Sequence, residues 1–266
     1  MEIPKSTGLL RFPSEFVEVT CTINGKTVKD YYGTAFPPAI HSNQTAAKAR
    51  FWETQAGRPP SVLVIGIDSV SSLHFKRSLP QTLGLLGKSG FVDLKGYTRL
   101  GENTFPNVMA MLGGMVPPTP PHHFYDCMKR GWGKLDDCPL IWREFSKLGY
   151  ITAFLEDEPS IAAFNYDKTG FVQQPTDYYL RTLSIGYRGK VSKSRNIFWR
   201  YADCVSGLPM FKMMAKYTKE FVDVMGGKNP YFLFSWYTSA VHDDFNGLKV
   251  CFKRFTRQVP GDQLLE

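Results

Sequence analysis

Ser61–Ser69 reads SVLVIGIDS, an apolar, β-branched run with no polar alternation that closes on an aspartate. Such a run has the pattern of a central parallel strand buried on both faces, not of a half-exposed strand. The chain around it alternates helix-like and strand-like segments. Leu79–Gly90 (LPQTLGLLGKSG) predicts a helix stopped by Gly90, Phe91–Leu100 (FVDLKGYTRL) a second strand, and Thr104–Gly114 (TFPNVMAMLGG) a helix stopped by Gly113-Gly114. Farther on, Pro139–Tyr150 predicts a helix leading into the strand Ile151–Asp157, and Met210–Gly227 an amphipathic helix leading into the strand Tyr231–Ala240. Helices alternating with apolar strands define an α/β fold with a largely parallel sheet.

Ligands bind such sheets beyond the carboxyl ends of the strands. Asp68 stands at one strand end, Thr104 shortly after another, Glu156-Asp157-Glu158 at a third, and His242-Asp243-Asp244 just after a fourth, so four polar clusters converge on one edge. A carboxylate ending an apolar strand must be hydrated, paired or bound to a cation, so Asp68 reads either as a divalent-metal ligand or as a cap of the following helix. Thr104 occupies the expected N-cap, with Pro106 in the first turn, and capping alone accounts for it. The same place offers free amide donors to an anion, and a metal beside the hydroxyl would make it a nucleophile. Asn107 reads as a donor to a bound phosphoryl oxygen or as a solvent-facing residue. His242 reads as a metal or oxyanion ligand or as an ordinary loop histidine, and Asp243, Asp244 and Asn246 as caps of a following helix. The run of three carboxylates, Glu156 to Glu158, reads as a solvated turn.

The 266 residues are 43% hydrophobic and 21% charged, enough for one large globular domain with an extension, and 18 prolines and 23 glycines imply long connections. Residues 1–58 mix short β-like runs such as FVEVTCTI with turn residues and end at the punctuation AGRPP, which makes them an N-terminal extension to an α/β domain over residues 59–250. Net charge is +8, densest in Tyr187–Tyr201 through Arg188, Lys190, Lys193, Arg195 and Arg200. That stretch is either a solvated basic loop or an anion contact; no nucleic-acid-binding pattern accompanies it. The five cysteines contain no CxxC pair, which disfavours structural zinc, while Cys127 and Cys138 flank a loop that a disulfide would close. Asn43-Gln44-Thr45 is a glycosylation sequon with Asn43 as acceptor. Cysteines and sequon favour an extracellular or secretory-lumen home, although Met1–Phe16 has no signal-peptide apolar run, and no segment is apolar enough to span a bilayer.

Five segments, VLVIGIDSVSSLHFKRSLPQT, GYTRLGENTFPNVMAMLGG, FLEDEPSIAAFNYDKTGF, QPTDYYLR and SWYTSAVHDDFNGL, occur in the order of the DUF229 family, which the chain resembles over Ser61–Leu248. The family is placed in the sulfatase and alkaline-phosphatase-like superfamily. The resemblance implies that superfamily's doubly wound, largely parallel sheet flanked by helices. It implies Asp68 as ligand of a divalent ion (zinc, manganese or calcium), Thr104 as covalent nucleophile touching the same metal, and His242 in the substrate or second-metal pocket. Sulfatases carry a convertible Cys or Ser and an Arg in a Cys/Ser-x-Pro-x-Arg motif. Here Thr104-Phe105-Pro106-Asn107-Val108 keeps only the proline, so the implied chemistry is phosphoester hydrolysis or transfer by a threonine alkoxide on an anionic small-molecule, lipid or glycan substrate.

The superfamily's later Asp-His pair, within Ser-Asp-His-Gly in this family, has no counterpart among His41, His74, His122, His123 and His242. The pattern fades after Val250, and residues 251–266 show neither helical stripe nor strand alternation, the expectation for a C-terminally truncated, inactive form whose sheet keeps an uncovered edge. The alternative is a non-catalytic extracytoplasmic α/β protein that binds anionic glycans or lipid head groups through its basic loop.

Overall fold

The computed structural model describes residues 14–118, 125–128, 133–188, 204–205 and 208–249. Most of the basic stretch Tyr187–Tyr201, His122, His123, Cys251 and the tail 251–266 lie outside the described residues.

The chain opens with a hairpin of β1 (Phe16–Ile23) and β2 (Lys26–Gly33), antiparallel in register from Phe16↔Gly33 to Ile23↔Lys26. Its two-residue loop, Asn24-Gly25, has φ of 50° and 73°, the mirror-image turn that matches the twist of the flanking strands. The short helix α1 (Pro38–His41) and α2 (Asn43–Glu53) follow. Ser42 and Thr45 form a reciprocal capping box at the start of α2, so the threonine of the sequon is buried in that cap while Asn43 stays exposed. These residues dock tightly on the rest: Tyr178 donates to the Phe36 carbonyl at 2.6 Å, Trp52 to the Gly149 carbonyl at 2.8 Å, and Lys48 pairs with buried Asp177 at 2.7 Å.

β3 (Val62–Ile67) leads to α3 (Ser72–Ser78), α4 (Pro80–Lys88) and α5 (Thr104–Gly113), then α6 (Ile141–Lys147), β4 (Ile151–Glu156), β5 (Tyr178–Tyr179) and α7 (Arg181–Arg188). The short pair β6 (Cys204–Val205) and β7 (Leu208–Pro209) precedes α8 (Met210–Met225) and β8 (Tyr231–Tyr237). The main sheet has the order β3-β8-β4-β5 with every neighbouring pair parallel. It is a four-stranded parallel sheet flanked by helices, as the alternation of patterns predicts.

Each face carries its own core. Ile151, Ala153, Leu155 and Leu233 pack with Met214, Tyr217 and Phe221 of α8 and with Leu183 of α7 and Tyr31 of the hairpin. Phe154, Phe232 and Phe234 pack on the other face with Val108, Met109 and Leu112 of α5 and Trp142 of α6. Every residue of β4 is buried, because helices cover both of its faces. The Cys127–Cys138 disulfide is formed and pins the Tyr125–Met128 turn to the second core.

Two strand expectations fail. β3 is not central: it is the edge of the sheet among the described residues, and Leu63 and Ile65 are 43% and 55% exposed. Phe91–Leu100 forms no strand; all ten residues are exposed, and neither α3 nor α4 has a buried residue. The pattern at 91–100 satisfies a strand locally, but no described strand offers it a ladder.

Candidate functional site

The site lies at the carboxyl edge of β3, β4 and β8. β3 carries the chain straight to Asp68, whose backbone N–H still donates to the Tyr237 carbonyl at 2.9 Å, so the aspartate is fixed by the parallel ladder. It is 5% exposed. Its carboxylate accepts from hydroxyls: Thr104 at 3.0 and 3.3 Å, and Thr238 and Ser69 at 3.5 Å each. Asp68 does not cap the next helix, because Ser71 does so by accepting from the His74 N–H.

Thr104 is not the N-cap either. Asn103 holds that position at φ 67° with no side-chain cap, Thr104 is the first helical residue of α5, and its hydroxyl turns to Asp68 instead. The first-turn amides of α5 are thus left without a side-chain acceptor, aimed where an anion would be favoured. Ser69 and Asn103, beside Asp68 and Thr104, are two of the four non-glycine residues with positive φ among the described residues, at 56° and 67°. Backbone strain of this kind costs on the order of 1–3 kcal/mol at each position and concentrates at functional sites.

The acidic run is not a solvated turn. Glu156, Asp157 and Glu158 are all buried. Asp157 accepts from the Thr238 N–H at 2.8 Å, the Ser239 N–H at 3.1 Å and the Ser239 hydroxyl at 2.6 Å, tying the end of β4 to the turn after β8. Burial pushes its carboxyl above the ordinary range, against those three donors, which favour the charged form. Glu156 accepts from the Ala163 N–H at 2.7 Å, and its second oxygen, Oε2, has no partner among the described residues. Burial first, then the charges of Asp157 and Asp68, push Glu156 up to about 8. Glu158 binds its own loop through the Ser160 N–H and hydroxyl.

Thr238 and Ser239, which the sequence patterns did not single out, join these groups: Thr238 donates its amide to Asp157 and turns its hydroxyl toward Asp68. The signal available was the one that exposed Asp68, a polar residue directly beyond the carboxyl end of an apolar strand.

His242 stands one turn farther on, its N–H on the Thr238 carbonyl at 3.0 Å, but its ring pairs with Asp243 at 2.8 Å and makes no described contact with Asp68 or Thr104. Asn107 is committed elsewhere. Its amide donates to the carbonyls of Gly101 at 2.8 Å and Asn103 at 2.7 Å while its oxygen accepts from Leu100 and Gly101, so both N–H groups are spent on the loop that presents Thr104.

A divalent ion finds part of a shell here. Asp68 is a buried carboxylate with hydroxyl partners and no lysine or arginine partner among the described residues, a donor set that suits a cation. No group of three His, Cys, Asp or Glu side chains converges among the described residues, so the fit is to Asp68 and Thr104 alone.

The molecule is an α/β protein with a carboxylate–hydroxyl pair at the carboxyl edge of a parallel sheet. It belongs to the DUF229 family, described as a protein of unknown function, whose model matches residues 1–259 and so takes in the N-terminal hairpin as well as the motif-bearing segments. No curated protein and no solved structure matches the chain.

Proposed function

We propose that Asp68 and Thr104 form the nucleophile side of a phosphoester hydrolase or phosphoryl transferase, in keeping with a sulfatase and alkaline-phosphatase-like ancestry. The observation that carries this reading is the Thr104 hydroxyl donating to Asp68 at 3.0 Å at the head of α5. In the reaction, Asp68 takes the hydroxyl proton as the Thr104 oxygen attacks phosphorus in line, the leaving alkoxide departs, and the first-turn amides of α5 face the phosphoryl oxygens. A divalent ion held by Asp68 and Thr104 would lower the hydroxyl's pKa and offset phosphoryl charge. Water or an acceptor alcohol then attacks the phosphorus of the phosphothreonine, the Thr104 oxygen leaves and takes back the proton held by Asp68, and the attacking group's own proton passes through solvent to the alkoxide released in the first step. Sulfate ester hydrolysis by the formylglycine route is not part of this reading, since Thr104 cannot be converted. The substrate is an anionic ester of a small molecule, lipid or glycan, and the sequon and disulfide favour a secretory location.

The test is turnover of bis(4-nitrophenyl) phosphate with zinc, manganese or calcium by the wild-type chain and by Thr104→Ala, with mass spectrometry of the quenched protein. Turnover by the wild type alone, with a 4-nitrophenyl phosphoryl group on Thr104, supports the proposal. Equal rates in both proteins overturn it.

A further inference from the structure

A cavity of about 570 Å³ opens at the opposite edge of the sheet, where β4 begins and the chain enters β5. Its walls come from the N-terminal part of the chain through Glu15, His41 and Gln44, and from the sheet domain through Ser146, Thr152 and Gln174. The volume is in the range of small-molecule sites.

The chemistry of the walls narrows what fits. The nearby ammonium of Lys48 is spent on Asp177 at 2.7 Å and on the Ser146 hydroxyl at 2.8 Å, so among the described residues of the wall no free cation awaits an anion. Asp177 is neutralised in turn: its Oδ2 takes the Lys48 ammonium together with the Thr152 N–H at 2.8 Å and hydroxyl at 2.9 Å, so the carboxylate already has its counter-charge. Glu15 accepts from the Tyr217 hydroxyl, and burial pushes its carboxyl up to about 8, so near neutral pH it presents mainly an O–H.

His41 complements it. The ring stacks on Tyr178 at 3.8 Å, and its Nε2 meets the Asp177 carbonyl at 2.8 Å. A carbonyl only accepts, so Nε2 carries a proton, and in that tautomer Nδ1 is the acceptor. Nδ1 and the Glu15 carboxyl oxygen face each other at 3.8 Å, too far for a hydrogen bond of their own but spaced so that one hydroxyl oxygen can accept from Glu15 and donate to His41. The amide of Gln44 and the hydroxyl of Thr182 add further neutral partners, and Phe16 and Tyr179 add apolar surface.

We propose that this cavity is a second binding site, separate from Asp68 and Thr104, for a neutral polyhydroxylated ligand of mono- or disaccharide size. The N-terminal segment thereby gains a role in recognition, since it supplies the donor–acceptor pair that reads the ligand.

The experiment is titration of the full chain with glucose, N-acetylglucosamine and lactose, and with inorganic phosphate and spermidine as charged probes, followed by calorimetry and by the His41 ring resonances. Saturable binding of at least one neutral sugar, with Kd on the order of 1 mM and a shifted His41 signal, is expected. Glu15→Gln, which keeps a neutral donor, retains that affinity, whereas Glu15→Ala and the exposed-site variant Gln44→Ala weaken it by roughly tenfold. Thr104→Ala leaves sugar binding unchanged, which separates this site from the reading of the other edge. The proposal is overturned if no neutral sugar saturates, if a charged probe saturates in its place, or if Gln44→Ala and Glu15→Ala both bind as the wild type does.

Discussion

The Thr104 hydroxyl donates to both oxygens of the Asp68 carboxylate, at 3.0 and 3.3 Å, across a gap of 36 residues that the fold closes. A threonine at the head of a helix ordinarily turns back to cap it; here the cap position is taken by Asn103 at φ 67° and the hydroxyl is released to the neighbouring strand end. Removing it leaves the buried carboxylate only the longer contacts with Thr238 and Ser69, at 3.5 Å each. Thr104→Ala is therefore expected to lower stability by about 1–3 kcal/mol, as for a hydrogen bond to a charged group, and Thr104→Ser to restore most of it. Urea midpoints of the two variants check this; equal midpoints for Thr104→Ala and wild type would show that Asp68 finds another partner.

Asp157 holds the Thr238-Ser239 turn through two amides and a hydroxyl. Asp157→Ala leaves those buried amides unpaired and is expected to cost about 2–4 kcal/mol, among the larger effects of any single change. Because Thr238 also faces Asp68, the same variant should lower phosphodiester turnover more than Glu158→Ala, whose carboxylate braces its own loop. A variant pair with equal melting loss and equal turnover would separate Asp157 from the site.

The parallel sheet was legible because β3, β4 and β8 are apolar runs that follow or precede helical stripes, and periodicity reports such local patterns directly. What periodicity does not report is the neighbour. Phe91–Leu100 has strand-like composition, yet no described strand pairs with it, and β3 reads as central while standing at an edge. The site was half legible for the same reason. Asp68 and Thr104 follow from the strand-end rule, but the burial of Asp157 depends on amides of a turn 81 and 82 residues away, and the two N–H groups of Asn107 are claimed by backbone carbonyls that only the folded loop presents.

Glu156 makes stability depend on pH. Its folded pKa is raised from 4.5 to about 8, so the native state keeps a proton that the unfolded chain releases. The stabilisation is fully present below pH 4.5 and is lost as pH rises toward 8, at up to about 1.4 kcal/mol per pH unit inside that window. Glu156→Gln imitates the neutral acid and should flatten the decline. Denaturation midpoints at pH 5 and pH 8 decide it: an equal drop in both proteins would move the dependence to another group, with Glu15, also raised to about 8, the first to examine.

Gly66 lies under the Trp236 indole, where an added Cβ would come within 2.0 Å of the ring. Gly66→Ala must push the indole off its stacking contact with Phe234 or displace β3, and overpacking of this kind costs about 1–3 kcal/mol. Since Asp68 is two residues farther along the chain, the variant should also shift tryptophan fluorescence and reduce any Thr104-dependent turnover together. Unchanged fluorescence with unchanged stability would show that the ring has room to move.

Among the described residues, the outer edge of β3 presents unpaired backbone groups beside Leu63 and Ile65, which share one face and are largely exposed. An apolar, uncharged edge strand is a template for another chain, and natural sheets blunt such edges with lysine. The chain should therefore self-associate in a concentration-dependent way, and Ile65→Lys should suppress this. The substituted side chain is 55% exposed, so its unfolding midpoint should stay within about 0.5 kcal/mol of wild type. Light scattering during incubation, read beside the urea midpoint, separates the two effects: association as fast in Ile65→Lys as in wild type would place the sticky surface elsewhere, on the exposed side chains of Phe91–Leu100.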